Sequence, residues 1–359
     1  MKQAKKSNQE FQLTDLYLYL TDQCNLCCGH CWISPGFSQN QQNSIPLGVL
    51  KSTILEAKSL GLQSVKLTGG EPLLYRDIMG LLEFLTSEDL SILIETNGVL
   101  LDRSMVELLK GCNVDQISVS LDAATEALHD EIRGVRGSFR KTVKRLRLLS
   151  DLGLSYQVIM TLQRKNSKEI PDLMRLCHEL GASSLKINPL QPCGRAIAAF
   201  QQNANLNLDE LILLHRELSN EWHKPDDLDI CFDLPLAFLS IDEILQTSGR
   251  CWILNILGVL ANGDFSICGV GQTASELRMG NLFRDPIREV WQNDPLLIGL
   301  RQSLPWKLEG ICNHCIFKFQ CLGACRANAF IVSKDLYAPY FLCQELYETG
   351  RFPESRYLA

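Results

Sequence analysis

The sequence has no apolar run approaching the length of a membrane span, and its polar N-terminus lacks the hydrophobic stretch of a secretory signal. It lacks a basic excess as well: 35 Lys and Arg stand against 41 Asp and Glu, a formal net charge of -6. A general nucleic-acid binder normally carries a basic face, so no nucleic-acid partner is expected. Without span or signal, the expectation is a cytoplasmic protein with no membrane partner. Composition excludes disorder too. At 46% hydrophobic and 21% charged over 359 residues, the chain can bury a large core and is long enough for one large domain plus a smaller one. Cysteine is plentiful. The 15 thiols are an odd number that fits complete pairing poorly, and in a reducing compartment clustered cysteines point to metal rather than to disulfides.

Four thiols fall between Cys24 and Cys31. Cys24, Cys28 and Cys31 are separated by three residues and then two, a reach suited to one polynuclear metal centre. Three ligands leave one metal position open to a small chelating substrate. A zinc knuckle, which wants four ligands, and a disulfide pair in an exported protein are the competing readings. From residue 16 to about 192, short apolar runs alternate with amphipathic segments. Strands are expected at 16–20, 64–67, 91–95, 116–121, 155–162 and 184–189, with helices at 47–60, 78–86, 103–110, 124–132, 139–152 and 169–180. Such alternation implies parallel strands joined by right-handed crossovers.

Polar residues gather where these strands end. Gly69 and Gly70 follow the second, where missing β-carbons let a ligand approach the backbone; a tight turn is the plain alternative. Ser118, Ser120 and Asp122 alternate along one side of the fourth, and polar groups pointing into a barrel need partners. Cys112 and Cys177, in apolar helical contexts, read as small buried residues.

The cysteine triplet after the first strand, taken with Gly69-Gly70-Glu71-Pro72 after the second, resembles the radical S-adenosylmethionine (SAM) enzymes. The resemblance implies a partial (β/α)6 TIM-type barrel whose active site opens at the carboxyl ends of the strands. It implies that Cys24, Cys28 and Cys31 hold a 4Fe-4S cluster whose fourth iron is chelated by SAM. Reductive cleavage then gives methionine and a 5'-deoxyadenosyl radical that abstracts hydrogen from the substrate. By the same resemblance Gly69, Gly70 and Glu71 meet the SAM amino group, Thr96 and Asn97 face the ribose, and Ser120 lies on the SAM side. Arg133 is expected to approach the SAM carboxylate, with Arg136 as its rival, and the strand 157–162 to lie against adenine. Arg195, in the loop after the sixth strand, is expected to face cofactor or substrate. No catalytic acid or base emerges.

Thiols resume late in the chain. Cys251 is followed by eleven residues to Gly263 and four more to Cys268, and then come Cys312-x2-Cys315-x5-Cys321-x3-Cys325 and Cys343. Two zinc ribbons are the physical rival. The spacing is similar to the SPASM extension of peptide-modifying radical SAM enzymes. By that resemblance Cys312, Cys315, Cys321 and Cys343 hold one auxiliary 4Fe-4S cluster, and Cys251, Cys268 and Cys325 hold another, with Cys231 the candidate fourth ligand. Asn262-Gly263-Asp264 reads as a hairpin turn bringing Cys268 back towards Cys251. The expected organisation is α/β: a flexible terminus over 1–14, the barrel over 15–200, a bridging region over 201–245 and a small cysteine-rich SPASM domain over 246–359.

The function this implies is a radical SAM/SPASM peptide maturase acting on a precursor peptide, with SAM and three 4Fe-4S clusters as cofactors. Crosslinking or backbone excision ranks above epimerisation, because net oxidation gives the auxiliary clusters a task. A flavodoxin or ferredoxin is the expected electron donor. Few residues precede the first strand, so a separate leader-binding protein is a further candidate partner. A sulfatase-maturating enzyme is the first alternative, but that group carries an aspartate after the second SPASM cysteine, where this chain has Gly269. A non-catalytic iron-sulfur electron carrier is the second.

Overall fold

Each short apolar run of the first half becomes a strand and each amphipathic stretch a helix. The computed structural model describes residues 11–35, 44–220, 222, 225–246 and 251–358. Strands β1 (Asp15–Tyr19), β2 (Ser64–Thr68), β3 (Ser91–Thr96), β4 (Gln116–Ser120), β5 (Gln157–Leu162), β6 (Ser184–Pro189) and β7 (Asp229–Phe232) pair in sequence order, all parallel. Parallel neighbours need crossovers. These are α1 (Leu47–Lys58), α2 (Ile78–Ser87), α3 (Arg103–Gly111), α4 (Glu126–Arg133) with α5 (Ser138–Asp151), and α6 (Ile170–Glu179), followed by α7 (Ala196–Gln201) and α8 (Leu208–Asn220).

Local chemistry sets the helix faces and ends. In α2 the buried residues are Ile78, Leu81, Leu82 and Leu85, one stripe at helical spacing that packs on the sheet. Helix α3 starts where the Asp102 carboxylate accepts the Met105 N–H at 2.9 Å.

The sheet is wider than the sequence predicts. After α9 (Ile241–Gln246), strand β8 (Ile256–Val259) returns to lie parallel to β1, pairing Asp15 with Ile256 and Leu18 with Val259. Strands β9 (Asp264–Ser266) and β10 (Arg278–Asn281) continue antiparallel, giving the order β10-β9-β8-β1-β2-β3-β4-β5-β6-β7. The turn at Asn262-Gly263-Asp264 joins β8 to β9 as expected. The cysteine-rich segment therefore begins inside the barrel sheet. Helices α10 (Ile287–Asn293), α11 (Pro295–Ser303), α12 (Gly310–His314), α13 (Lys318–Cys321), α14 (Arg326–Ser333) and α15 (Phe341–Glu348) complete the chain.

Two expected boundaries need correction. The region 201–245 is no mere bridge, because β7 within it pairs with β6 and extends the parallel sheet. Of the terminus 1–14 expected to be flexible, residues 1–10 lie outside the described residues, but 11–14 are packed. Leu13 is fully buried, and the Phe11 carbonyl accepts the Trp291 indole N–H at 2.8 Å. Cys112 and Cys177 are buried in the apolar core, as their contexts predict.

The parallel strands line a cavity of about 870 Å³, with Tyr17, Lys66, Glu95, Ser118, Lys186 and Cys231 among its walls. Among the described residues, no helix is long and apolar enough to cross a membrane.

Candidate functional site

The chain leaves β1 through the loop that carries the first thiols, and neighbouring segments fasten that loop. After β2, Gly70 N donates to the Thr21 carbonyl at 2.8 Å and Glu71 N to the Gln23 carbonyl at 2.7 Å. A β-carbon at Gly70 would lie 1.9 Å from the Gln23 oxygen, so only glycine fits. At the end of α4, the carbonyls of Arg133 and Ile132 accept Cys27 N at 3.1 Å and Gly29 N at 3.2 Å. After β6, Arg195 N donates to the Cys31 carbonyl at 2.9 Å.

Side chains reinforce the clamp. The buried Glu71 carboxylate accepts from Thr96 Oγ1 at 2.6 Å, Asn97 N at 2.9 Å and Leu73 N at 3.2 Å. Burial pushes its pKa up while these donors pull it down. Glu71 and Thr96, read from the sequence as cofactor contacts, spend these groups on each other and thereby tie the β2 and β3 ends together. Asn97 is aimed at the loop itself: its Nδ2 donates to Asn25 Oδ1 at 2.7 Å and to Cys24 Sγ at 3.8 Å.

Arg133 and Arg136 separate cleanly. Arg136 is exposed, whereas Arg133 is buried with Nη1 3.7 Å from Cys28 Sγ and Nε 2.7 Å from Asp122 Oδ2. Burial alone would raise the Asp122 carboxyl; the guanidinium, with His30 and His129, brings it below its ordinary value. His30 lies 3.7 Å from the same oxygen, and burial pushes His30 and His129 each down to about 4, leaving both neutral. The sequence flagged Asp122 only as one of an alternating polar set, and it gave His30 no role of its own. Arg195, expected to face cofactor or substrate, reaches the thiol loop, with Nη1 3.8 Å from Cys27 Sγ and 3.4 Å from the Pro35 carbonyl. Ser120 is half-buried at the end of β4.

The donor set fits an iron-sulfur cluster. Cys24, Cys28 and Cys31 lie within electrostatic reach of one another. Burial, with Glu71 next in effect, pushes the Cys24 thiol up to about 12; burial also raises Cys28, against the pull of Arg133. Iron taken up here would displace those protons, and the amide and guanidinium donors at the sulfurs suit a negatively charged thiolate-ligated centre. Among the described residues, no three His, Cys, Asp or Glu side chains converge as for a single ion. A four-iron cluster takes each thiolate on a different iron.

The late thiols fall into two groups. Cys312 on α12, Cys315 at its end, Cys321 at the end of α13 and Cys343 on α15 perturb one another, and burial raises the Cys343 thiol far above its ordinary value. Tyr340 N donates to Cys312 Sγ at 3.4 Å. Cys251, Cys268 and Cys325 form the other group, in which burial raises Cys268 first and thiolates at Cys325, Cys251 and Cys193 raise it further. Between the groups sits Arg326, 1% exposed, whose Nη1 donates to the Leu336 and Ala338 carbonyls at 3.0 and 2.7 Å and whose Nη2 donates to the Gly323 carbonyl. Cys231, the expected fourth ligand of the second group, lies on β7 opposite Lys186 in the wall of the barrel cavity.

That cavity holds one pair that the sequence did not reveal. Lys66 Nζ lies 2.9 Å from Glu95 Oε1 and 4.6 Å from the centre of the Tyr17 ring. Burial opposes both charges, and each partner keeps the other ionised.

Comparison with known proteins agrees with this geometry. The model of the radical SAM superfamily matches residues 18–177, and that of the SPASM iron-sulfur cluster-binding domain matches residues 251–316. The AdoMet-dependent heme synthase of Methanosarcina barkeri is 28% identical over 88% of this chain and 92% of its own length. The antilisterial bacteriocin subtilosin biosynthesis protein AlbA of Bacillus subtilis is 27% identical over 85% of this chain and 65% of its own. Streptococcus suis SuiB, solved with its precursor peptide SuiA, shares the fold with a TM-score of 0.72 at 22% identity, over 93% of this chain and 76% of that one. The chain belongs to the radical SAM superfamily and carries a SPASM extension, with S-adenosylmethionine and 4Fe-4S clusters as its cofactors.

Proposed function

We propose that this radical SAM enzyme modifies a ribosomally made peptide. The cofactors supply a 5'-deoxyadenosyl radical, which takes a hydrogen atom from a residue of the peptide, and a crosslink or a backbone excision follows. The observation that carries the reading is the barrel cavity, whose walls, among the described residues, set the carboxylates of Asp15, Glu95, Asp226, Asp229 and Glu243 against two lysines, Lys66 and Lys186. Walls richer in acid than in base suit neutral or cationic peptide segments and repel a polycarboxylate. The late thiol groups support a net oxidation, since a substrate radical that closes a new bond must shed an electron and a proton. AlbA, named for bacteriocin biosynthesis, adds support. A flavodoxin or ferredoxin would supply the reducing electron.

A second reading is favoured by a different observation: the M. barkeri relative and two others are named heme synthases. A tetrapyrrole substrate would bring several carboxylates to the acid-rich walls. The sulfatase-maturating reading finds less support. A β-carbon at Gly269 would lie 2.3 Å from the Tyr19 ring, so an aspartate there would require that ring to move.

Anaerobically reconstituted enzyme, SAM and a reductant should be incubated with the peptide encoded by the short reading frame nearest the gene, and separately with iron-coproporphyrin III. The expected result is a peptide lighter by a pair of hydrogens, or shortened, formed in step with 5'-deoxyadenosine. Turnover of the porphyrin with an unchanged peptide would overturn the proposal in favour of the second reading.

A further inference from the structure

We infer that Cys193 is the fourth thiolate of the cluster held by Cys251, Cys268 and Cys325. The inference rests on those three as ligands of one auxiliary cluster, and it assigns them a partner from the barrel. After β6 the chain turns through residues 190–195, and this turn is gripped from two sides. On the C-terminal side, Gln191 Nε2 donates to the Tyr340 hydroxyl at 3.4 Å and Gln191 Oε1 accepts from Asn328 Nδ2. The backbone N–H of that same Asn328 donates to Cys325 Sγ at 3.4 Å. On the barrel side, Arg195 N holds the Cys31 carbonyl, and a β-carbon on Gly194, whose φ is +58°, would lie 2.3 Å from the Trp32 oxygen. The turn therefore has no slack. Cys193 is fixed within it by Cys193 N to the Gln191 carbonyl at 2.8 Å and Ala196 N to the Cys193 carbonyl at 3.1 Å.

Burial separates Cys193 from the other spare thiols. It is only 8% exposed, yet it lies outside the apolar core cluster that contains Cys112 and Cys177. Two residues away, Gln191 holds Asn328, whose N–H meets Cys325 Sγ, and Cys268 and Cys31 lie within electrostatic reach. A buried thiol outside the apolar core, in a turn fastened to the segment that carries another thiol, is suited to ligate a soft metal centre. Cys231 has another setting, on β7 in the wall of the cavity. Ligation through Cys193 would staple the barrel turn to the C-terminal segment. It would also place that cluster two residues from Arg195, whose N–H is bonded to Cys31.

The test uses the full chain carrying Cys24→Ala, Cys28→Ala and Cys31→Ala, so that the first cluster gives no signal. After anaerobic reconstitution, Cys193→Ala, Cys193→Ser, Cys231→Ala and Cys268→Ala are compared in this background by iron and sulfide content and by electron paramagnetic resonance (EPR), before and after mild ferricyanide oxidation. A four-iron cluster lacking its fourth thiolate passes one electron to ferricyanide and releases one ferrous ion, leaving a three-iron centre. The inference expects this three-iron signal and the loss of about one iron per chain in Cys193→Ala. It expects four irons with altered EPR g-values on reduction in Cys193→Ser, and no change in Cys231→Ala. If Cys193→Ala and Cys193→Ser both match the parent while Cys268→Ala loses its cluster, Cys193 is not the ligand and the three-cysteine reading survives. If Cys268→Ala also keeps every iron, both fall. Should Cys193→Ala fail to fold, the serine variant decides alone.

Discussion

Arg133 and Asp122 face each other at 2.7 Å in the buried centre of the protein, and the same guanidinium reaches Cys28 Sγ at 3.7 Å. The pair joins the end of α4 to the end of β4 and brings a positive charge to the first thiol loop. Breaking such a buried pair from one side costs about 3–5 kcal/mol, because the remaining charge loses its counter-ion in a low-dielectric site. Asp122→Ala should lower urea-unfolding stability by that order. Asp122→Asn should cost less, since its amide oxygen can still accept the Thr161 N–H that Asp122 accepts at 2.8 Å. A loss well under 1 kcal/mol in the alanine variant would mean that Arg133 has another partner.

The first three thiols can be tested together. Replacing Cys24, Cys28 and Cys31 by alanine should abolish 5'-deoxyadenosine formation and lower iron by about four per chain from roughly a dozen. Chromatographic assay and iron analysis read both quantities. Continued release of the nucleoside would remove these residues from the cleavage site.

Gly70→Ala sets a β-carbon against the Gln23 carbonyl, 1.9 Å away before relaxation. Relief requires the thiol loop to move, at a cost of about 1–3 kcal/mol. The expected result is a lower melting temperature and a larger loss of SAM cleavage than of global stability. Native cleavage rates in Gly70→Ala would show that the loop position is not critical.

Arg326→Met removes a buried cation from between the late thiol groups and leaves the carbonyls of Leu336 and Ala338 without their donor. Each unsatisfied carbonyl costs about 1–3 kcal/mol. Loss of positive charge favours the oxidised form of a neighbouring cluster, so the auxiliary midpoint potentials should become more negative. An EPR redox titration measures the shift, and unchanged potentials would show that the guanidinium serves packing alone.

Asp102 offers a pH test remote from the cofactors. The Met105 N–H, followed by the Ser104 hydroxyl, holds its carboxyl below the ordinary value. A depressed folded-state pKa gives stability that is present above the unfolded value and is lost as pH falls through the folded one. Asp102→Ala should cost about 1 kcal/mol near neutrality. The gap from the parent in urea unfolding should close as pH drops below about 4. A gap independent of pH would assign the effect to something other than the charged cap.

Much of the site was legible because its chemistry is local. Cys24, Cys28 and Cys31 sit on one loop, and spacing alone presents them as a ligand set. The glycine pair could likewise be read, since a steric need for a missing side chain is written in the residue type. Glu71 was legible as part of the motif, but no sequence pattern showed that its carboxylate accepts from Thr96, Asn97 and Leu73.

By itself the sequence determined the alternation of strands and helices and the placing of the first thiols at a strand end, whereas the division of the late cysteines into two groups came from a family resemblance. The first two follow from periodicity and spacing, which act over a few residues. Tertiary structure alone decided that β8 joins the barrel beside β1, that Arg133 rather than Arg136 turns inward, and that the turn carrying Cys193 is tied through Gln191 to Asn328, whose N–H meets Cys325. Each depends on which distant segments share a buried volume. In such a volume one charge must find another and one sulfur lies beside the next, and no local pattern encodes that meeting.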